Sequence, residues 1–82
     1  MEGHIIAVNH QNGFVAIHTD NGIAVIELLG GYEVKVGDLI SGPLESLGGE
    51  TVRNVTREED MSVYIQDFHC TPEHAQRLMS GA

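Results

Sequence analysis

Asp20-Asn21-Gly22 falls between two short apolar runs, and this punctuation constrains the fold more than any other feature of the chain. Asn-Gly tolerates the positive φ angles of a type I′ turn, the geometry that joins two antiparallel strands tightly. Before the turn, Phe14 to His18 alternates, with Phe14, Ala16 and His18 on one face and Val15 and Ile17 on the other. After it, Ile23 to Leu29 forms the matching strand, closed by Gly30-Gly31. A second turn, His10-Gln11-Asn12-Gly13, separates this hairpin from a first strand over His4 to Val8.

Further along, Val36-Gly37-Asp38 reads as a turn into a fourth strand, Leu39 to Gly42. Pro43 ends that strand or confines it to an edge, because proline cannot donate to a ladder. Leu47-Gly48-Gly49 reads as a loop and Thr51 to Thr56 as a fifth strand. Glu58-Glu59-Asp60 reads as a solvated turn. Ser62 to Phe68 is a further strand, with Val63, Ile65 and Asp67 on one face and Tyr64, Gln66 and Phe68 on the other. Thr71 then suits a helix N-cap and Pro72 the first helical position. The helix over 72–79 carries an apolar stripe of Ala75, Leu78 and Met79. It is only about two turns long and needs a surface to dock on.

The predicted fold is therefore all-β. Its five short strands suggest a small closed antiparallel barrel, since closure removes exposed edges, with an SH3-like barrel as a competing choice that pattern alone does not separate from it. Residues 1–57 form the barrel, with Val15, Ile17, Ile26 and Val55 inside. Residues 58–82 form a C-terminal extension, strand 62–68 and helix 72–79, packed on the same domain.

Size and charge narrow the function. A chain of 82 residues buries roughly 63% of its surface, enough for one core but not for a two-domain catalytic cleft. Twelve acidic residues face four basic ones, giving a net charge of −8. A nucleic-acid binder normally shows a basic patch, because phosphate neutralisation supplies most of its affinity. No stretch approaches the ~18 apolar residues of a membrane span, and the first residues lack a signal-peptide pattern. The single cysteine, Cys70, excludes an intrachain disulfide and fits a reducing, cytoplasmic setting.

The opening Met1-Glu2-Gly3-His4-Ile5-Ile6-Ala7-Val8-Asn9, then Gly13-Phe14-Val15-Ala16-Ile17 and Asp20-Asn21-Gly22, resembles a bacterial cold-shock domain. Met1, Gly3, Asn9, Gly13, Phe14, Ile17, Asp20 and Gly22 fall on matching types without a gap, and Asn54-Val55-Thr56 is similar to the family's closing strand. The resemblance spans residues 1–57 and implies a five-stranded OB-type barrel that binds single-stranded nucleic acid on a face of exposed aromatics flanked by lysine.

The departures fall on that face. Ala7-Val8 stands where the family has Trp-Phe. Ala16 replaces a second phenylalanine, Asn12 replaces a lysine, and Val25-Ile26-Glu27-Leu28 replaces Phe-Val-His-Phe. Base–aromatic stacking is worth roughly 1–3 kcal/mol per base, so three lost rings remove at least roughly 3 kcal/mol. A micromolar complex has only about 8 kcal/mol in all. The expected product is a non-catalytic binding module whose nucleic-acid binding is weakened or lost, acting through a protein partner or a second copy. The alternative is the single-stranded RNA or DNA binder that the resemblance implies. The candidate binding face is Ala7, Val8, Phe14, Ala16, His18, Val25, Glu27 and Leu28. Residues 61–82 have three possible destinations: the core elsewhere, the apolar face around Phe14, or an intermolecular interface.

His69, Cys70 and His74 are suitable metal ligands, but zinc needs three or four in a preformed geometry. His69 and Cys70 are adjacent and point apart in a strand, so neither a metal site nor a cofactor is expected. Asp20, Glu27, Asp38 and Asp67 lack a motif that pairs them, and the serines lack a nucleophile context, so no catalytic residue is assigned.

Overall fold

The computed structural model describes residues 1–81. Six strands, β1 (Glu2–Asn9), β2 (Phe14–Thr19), β3 (Gly22–Leu28), β4 (Leu39–Ser41), β5 (Gly48–Asn54) and β6 (Glu59–Cys70), are followed by a helix, α1 (Pro72–Met79). The strands close into a barrel in the order β1-β2-β3-β6-β5-β4, with β4 pairing back onto β1. Every neighbouring pair is antiparallel. The all-β class, the antiparallel barrel, the strand beyond five and the short helix are all present, in an architecture consistent with a small OB-type fold.

The additional strand is a stave of the barrel. β6 lies between β3 and β5 and pairs with both. Antiparallel neighbours alternate in direction, and a closed ring can alternate throughout only with an even number of staves. The antiparallel barrel expected from residues 1–57 therefore closes only when β6 is included. Its alternation explains the fit: Met61, Val63 and Ile65 point inward and join Ile5, Val15, Ile17, Ile26, Ile40 and Val52 in the interior.

Val15, Ile17 and Ile26 are inside as expected, but Val55 is 39% exposed. The strand reaches further back than expected, so Gly48 and Gly49 belong to β5 rather than to a loop. Its inward positions are Val52 and Asn54. After Asn54 the chain turns away, and the Val55 N–H donates to the Leu39 carbonyl (2.8 Å). Glu59 and Asp60, read as part of a turn, open β6 opposite Asn54 and Arg53.

The β2–β3 hairpin closes on Thr19 and Gly22. Positive φ is confined there to Gly22 (110°), so the turn is not the expected type I′. The Thr19 hydroxyl fixes it, donating to the Gly22 carbonyl (2.8 Å) and accepting from the Asn21 N–H (3.1 Å). In β1, a Cβ on Gly3 would stand 2.5 Å from the His18 carbonyl oxygen, so only glycine lets β1 and β2 approach this closely. A bulge between Ile5 and Ala7 leaves Ile6 unpaired and exposed.

The helix has the expected bounds, with Thr71 accepting from the His74 N–H (3.2 Å) and Pro72 in the first turn. It packs on the outside of β2, β3 and β6. No helix among the described residues is long and apolar enough to cross a membrane.

Candidate functional site

Alternation divides the eight residues of the expected face. Ala7, Phe14, Ala16 and Val25 lie outside the barrel, where α1 covers them. Ala16, Ile23, Val25, Cys70 and Ala75 form a second buried cluster, with Ala7, Phe14, Leu78 and Met79 packed against it. Val8 and Leu28 are one residue out of phase and pack against the barrel interior, so they do not belong to this face. His18 is exposed and stands across the ladder from His4. Glu27 stays beside the face, paired across the ladder with Phe14 and Tyr64, and accepts from the Gln66 amide (3.1 Å).

Two asparagines hold the C-terminal end of α1. The side-chain amides of Asn9 and Asn12 both donate to the Met79 carbonyl (2.9 and 3.2 Å), one of the orphan carbonyls of the last turn. Their own side-chain oxygens accept from the N–H groups of Gln11 and Phe14 (3.0 and 2.9 Å), which shapes the β1–β2 turn. Position 12, a lysine in the resembled family, is thus a helix clamp here. The sequence held no signal for this contact, because its partners are 67 and 70 residues apart.

Beside the helix a shallow apolar groove of about 190 Å³ remains, bounded by Ile6, Ala7, Ala16, Pro72 and Met79. Tyr64 is the one exposed ring among the phenylalanines and tyrosines of the described residues. Of the cations, Arg53 is paired with Asp60 and Arg57 with Asp38.

A polar cluster sits where β6 meets the start of α1. The His74 ring and the Asp67 carboxylate are 2.9 Å apart, and the Phe68 N–H donates to Asp67 (2.8 Å). These two contacts hold the Asp67 carboxyl below its ordinary range. Cys70 is buried beside them, and burial, followed by the charge of Asp67, pushes its thiol up. His69, considered together with Cys70 and His74, turns instead to Glu45. Asp67 was not expected in such a cluster, because unbroken alternation places it inward with Val63 and Ile65. Register shifts in the β3–β6 ladder bring it outside.

Comparison of the chain with protein-family models, with curated proteins and with solved structures gives no match.

Proposed function

We propose that this chain is a non-catalytic protein-interaction module, cold-shock-like in its strand sequence, in which single-stranded nucleic-acid binding has been lost. The observation that carries the reading is the position of α1. The helix lies over Ala16 and Val25 and half-buries Phe14, the one ring retained from the aromatic platform of the resembled family. Stacking needs an open π-face, and a basic groove would have to lead the strand to it. On this face α1 half-covers the one ring, and four basic residues against twelve acidic ones supply no basic groove leading to it.

What stays accessible of the face is the apolar groove between α1 and Ile6. A groove with so little polar lining suits an apolar side chain of a protein partner or of a second copy better than a phosphate-bearing strand. Titration of labelled single-stranded DNA and RNA at low and moderate salt tests the reading. The expected dissociation constant is no better than roughly 10⁻⁴ M at physiological salt, the range of non-specific contact. Sub-micromolar binding overturns the proposal in favour of the nucleic-acid binder that the resemblance implies. Sedimentation of the protein beside Ile6→Glu then separates the two kinds of occupant: a second copy gives a dimer that the substitution dissolves, and a different protein leaves both monomeric.

A further inference from the structure

Asp67, Cys70 and His74 each offer one ligand atom, and all three atoms lie within 4.8 Å of one another. The backbone of β6 is specially shaped to bring this about. Ile65 pairs with Ile26, Asp67 with Val25 and Cys70 with Ile23. Each of these steps takes one residue more on β6 than on β3. The first extra residue turns Asp67 out of the inward series of Val63 and Ile65 and opposite the outward Val25. The second lies between Asp67 and Cys70, where His69 has a positive φ of 56°. A non-glycine residue in that conformation is strained, and such strain and such bulges gather at functional sites. Together the bulges place Asp67 and Cys70 on the same outer surface. The third residue, His74, comes from the first turn of α1, which Thr71 caps.

We propose that Asp67, Cys70 and His74 form a three-ligand site for a divalent ion of the zinc class, joining β6 to α1. A carboxylate oxygen, a thiolate sulfur and an imidazole nitrogen are all zinc ligands, at about 2.0–2.3 Å from the ion. Ligand atoms around a tetrahedral ion therefore stand about 3.3–3.7 Å apart. The His74 nitrogen and the Asp67 oxygen are already 2.9 Å apart, so small side-chain rotations open the space for the ion. On binding, the thiol proton passes to the buffer and the sulfur lone pair forms the metal bond. Carboxylate and thiolate then balance the two positive charges of the ion. The sulfur and nitrogen donors select against magnesium and calcium, which prefer oxygen. The Asp67 and His74 side chains are 40% and 41% exposed, so the ion has a path in. With three protein ligands, a fourth position stays open to water or another ligand.

Cobalt(II) added to the full chain reads the site directly, because thiolate ligation gives a near-ultraviolet charge-transfer band and four-coordination gives intense visible bands. One equivalent should produce both, and zinc should displace it. Cys70→Ser should abolish the near-ultraviolet band. His74→Gln and Asp67→Asn should each weaken binding by at least the roughly tenfold that loss of even an outer partner of a metal site costs, while His69→Gln changes nothing. Zinc should also raise the melting temperature of the natural protein and not that of Cys70→Ser. Should Cys70→Ser fail to fold, the half-exposed His74→Gln carries the comparison. The proposal is overturned if the folded natural protein gives no thiolate band, or if the band keeps its affinity in both His74→Gln and Asp67→Asn.

Discussion

Asp38 is a buried carboxylate with three donors: the Arg57 guanidinium (2.8 Å), the Asn54 amide (2.9 Å) and the Lys35 N–H (3.1 Å). Burial alone raises its pKa, but the hydrogen bonds from Asn54, Arg57 and Lys35 outweigh that and hold the carboxyl below its ordinary value. A pKa depressed by folding gives stability that is fully present above the unfolded-state pKa, about 3.9, and is lost as pH falls through the folded value. Urea unfolding should therefore show stability dropping below about pH 4, and Asp38→Asn should flatten that acid limb at its own cost near neutrality. Asp38→Ala leaves the buried Asn54 amide and the partly exposed Arg57 guanidinium unpaired and should cost about 1–3 kcal/mol. The residues were visible in the sequence but their association was not. The spacing marked Asp38 as part of a turn and placed Asn54 in a strand. Nothing in a period-two pattern says that a loop acid will meet a strand amide sixteen residues on. The misplacement of Val55 has the same origin, since inward parity goes to the polar Asn54 that Asp38 satisfies.

For the elements, the strands and helix that alternation or capping specifies were legible, and the two bulged stretches were not. Helix 72–79 was readable to its ends because Thr71 and Pro72 mark its start and its apolar stripe stops at Met79. The outer face of β6 was misread where a bulge resets the period, at Asp67, and the bulge that exposes Ile6 in β1 left no mark in the alternation. The structure also separates the roles of the two C-terminal elements. A chain cut after Cys70 keeps all six staves and should fold, losing about 2–3 kcal/mol for the burial of Leu78 and Met79 and exposing Phe14, Ala16 and Val25. It should bind a hydrophobic dye and self-associate, and its Phe14 amide should exchange faster while that of Val52 keeps its protection. A chain cut after Arg57 loses the stave between β3 and β5 and should not fold at all. A folded, cooperative 1–57 fragment would show that β6 is dispensable. Asn12→Ala makes a gentler version of the first cut, with an expected loss of about 1 kcal/mol for one clamp on the Met79 carbonyl.

At the scale of the whole molecule, barrel closure was legible from short alternating strands joined by glycine-bearing turns, but the number of staves depends on long-range pairing. Charge acts at this scale too. The molecule spans 30 × 27 × 23 Å and carries a net charge of −8. At 0.01 M salt the screening length is about 30 Å, so each surplus carboxylate feels nearly every other; at 0.15 M it is about 8 Å. Salt therefore weakens repulsion across the entire barrel. It also weakens attraction, but little is there to lose. The exposed Arg53–Asp60 pair is worth about 0–1 kcal/mol, and the Asp38–Arg57 pair, with Asp38 buried, is only slightly screened. The balance favours the folded state, in which the charges are held close, more than the expanded chain. The melting temperature should rise between 0.01 and 0.15 M, by about 4–8 °C if the relief is ~1 kcal/mol, and equally in sodium and potassium chloride. A melting temperature that fell with salt would mean that ion pairs, rather than repulsion, dominate the surface. A rise specific to one cation would point to a bound ion rather than to screening.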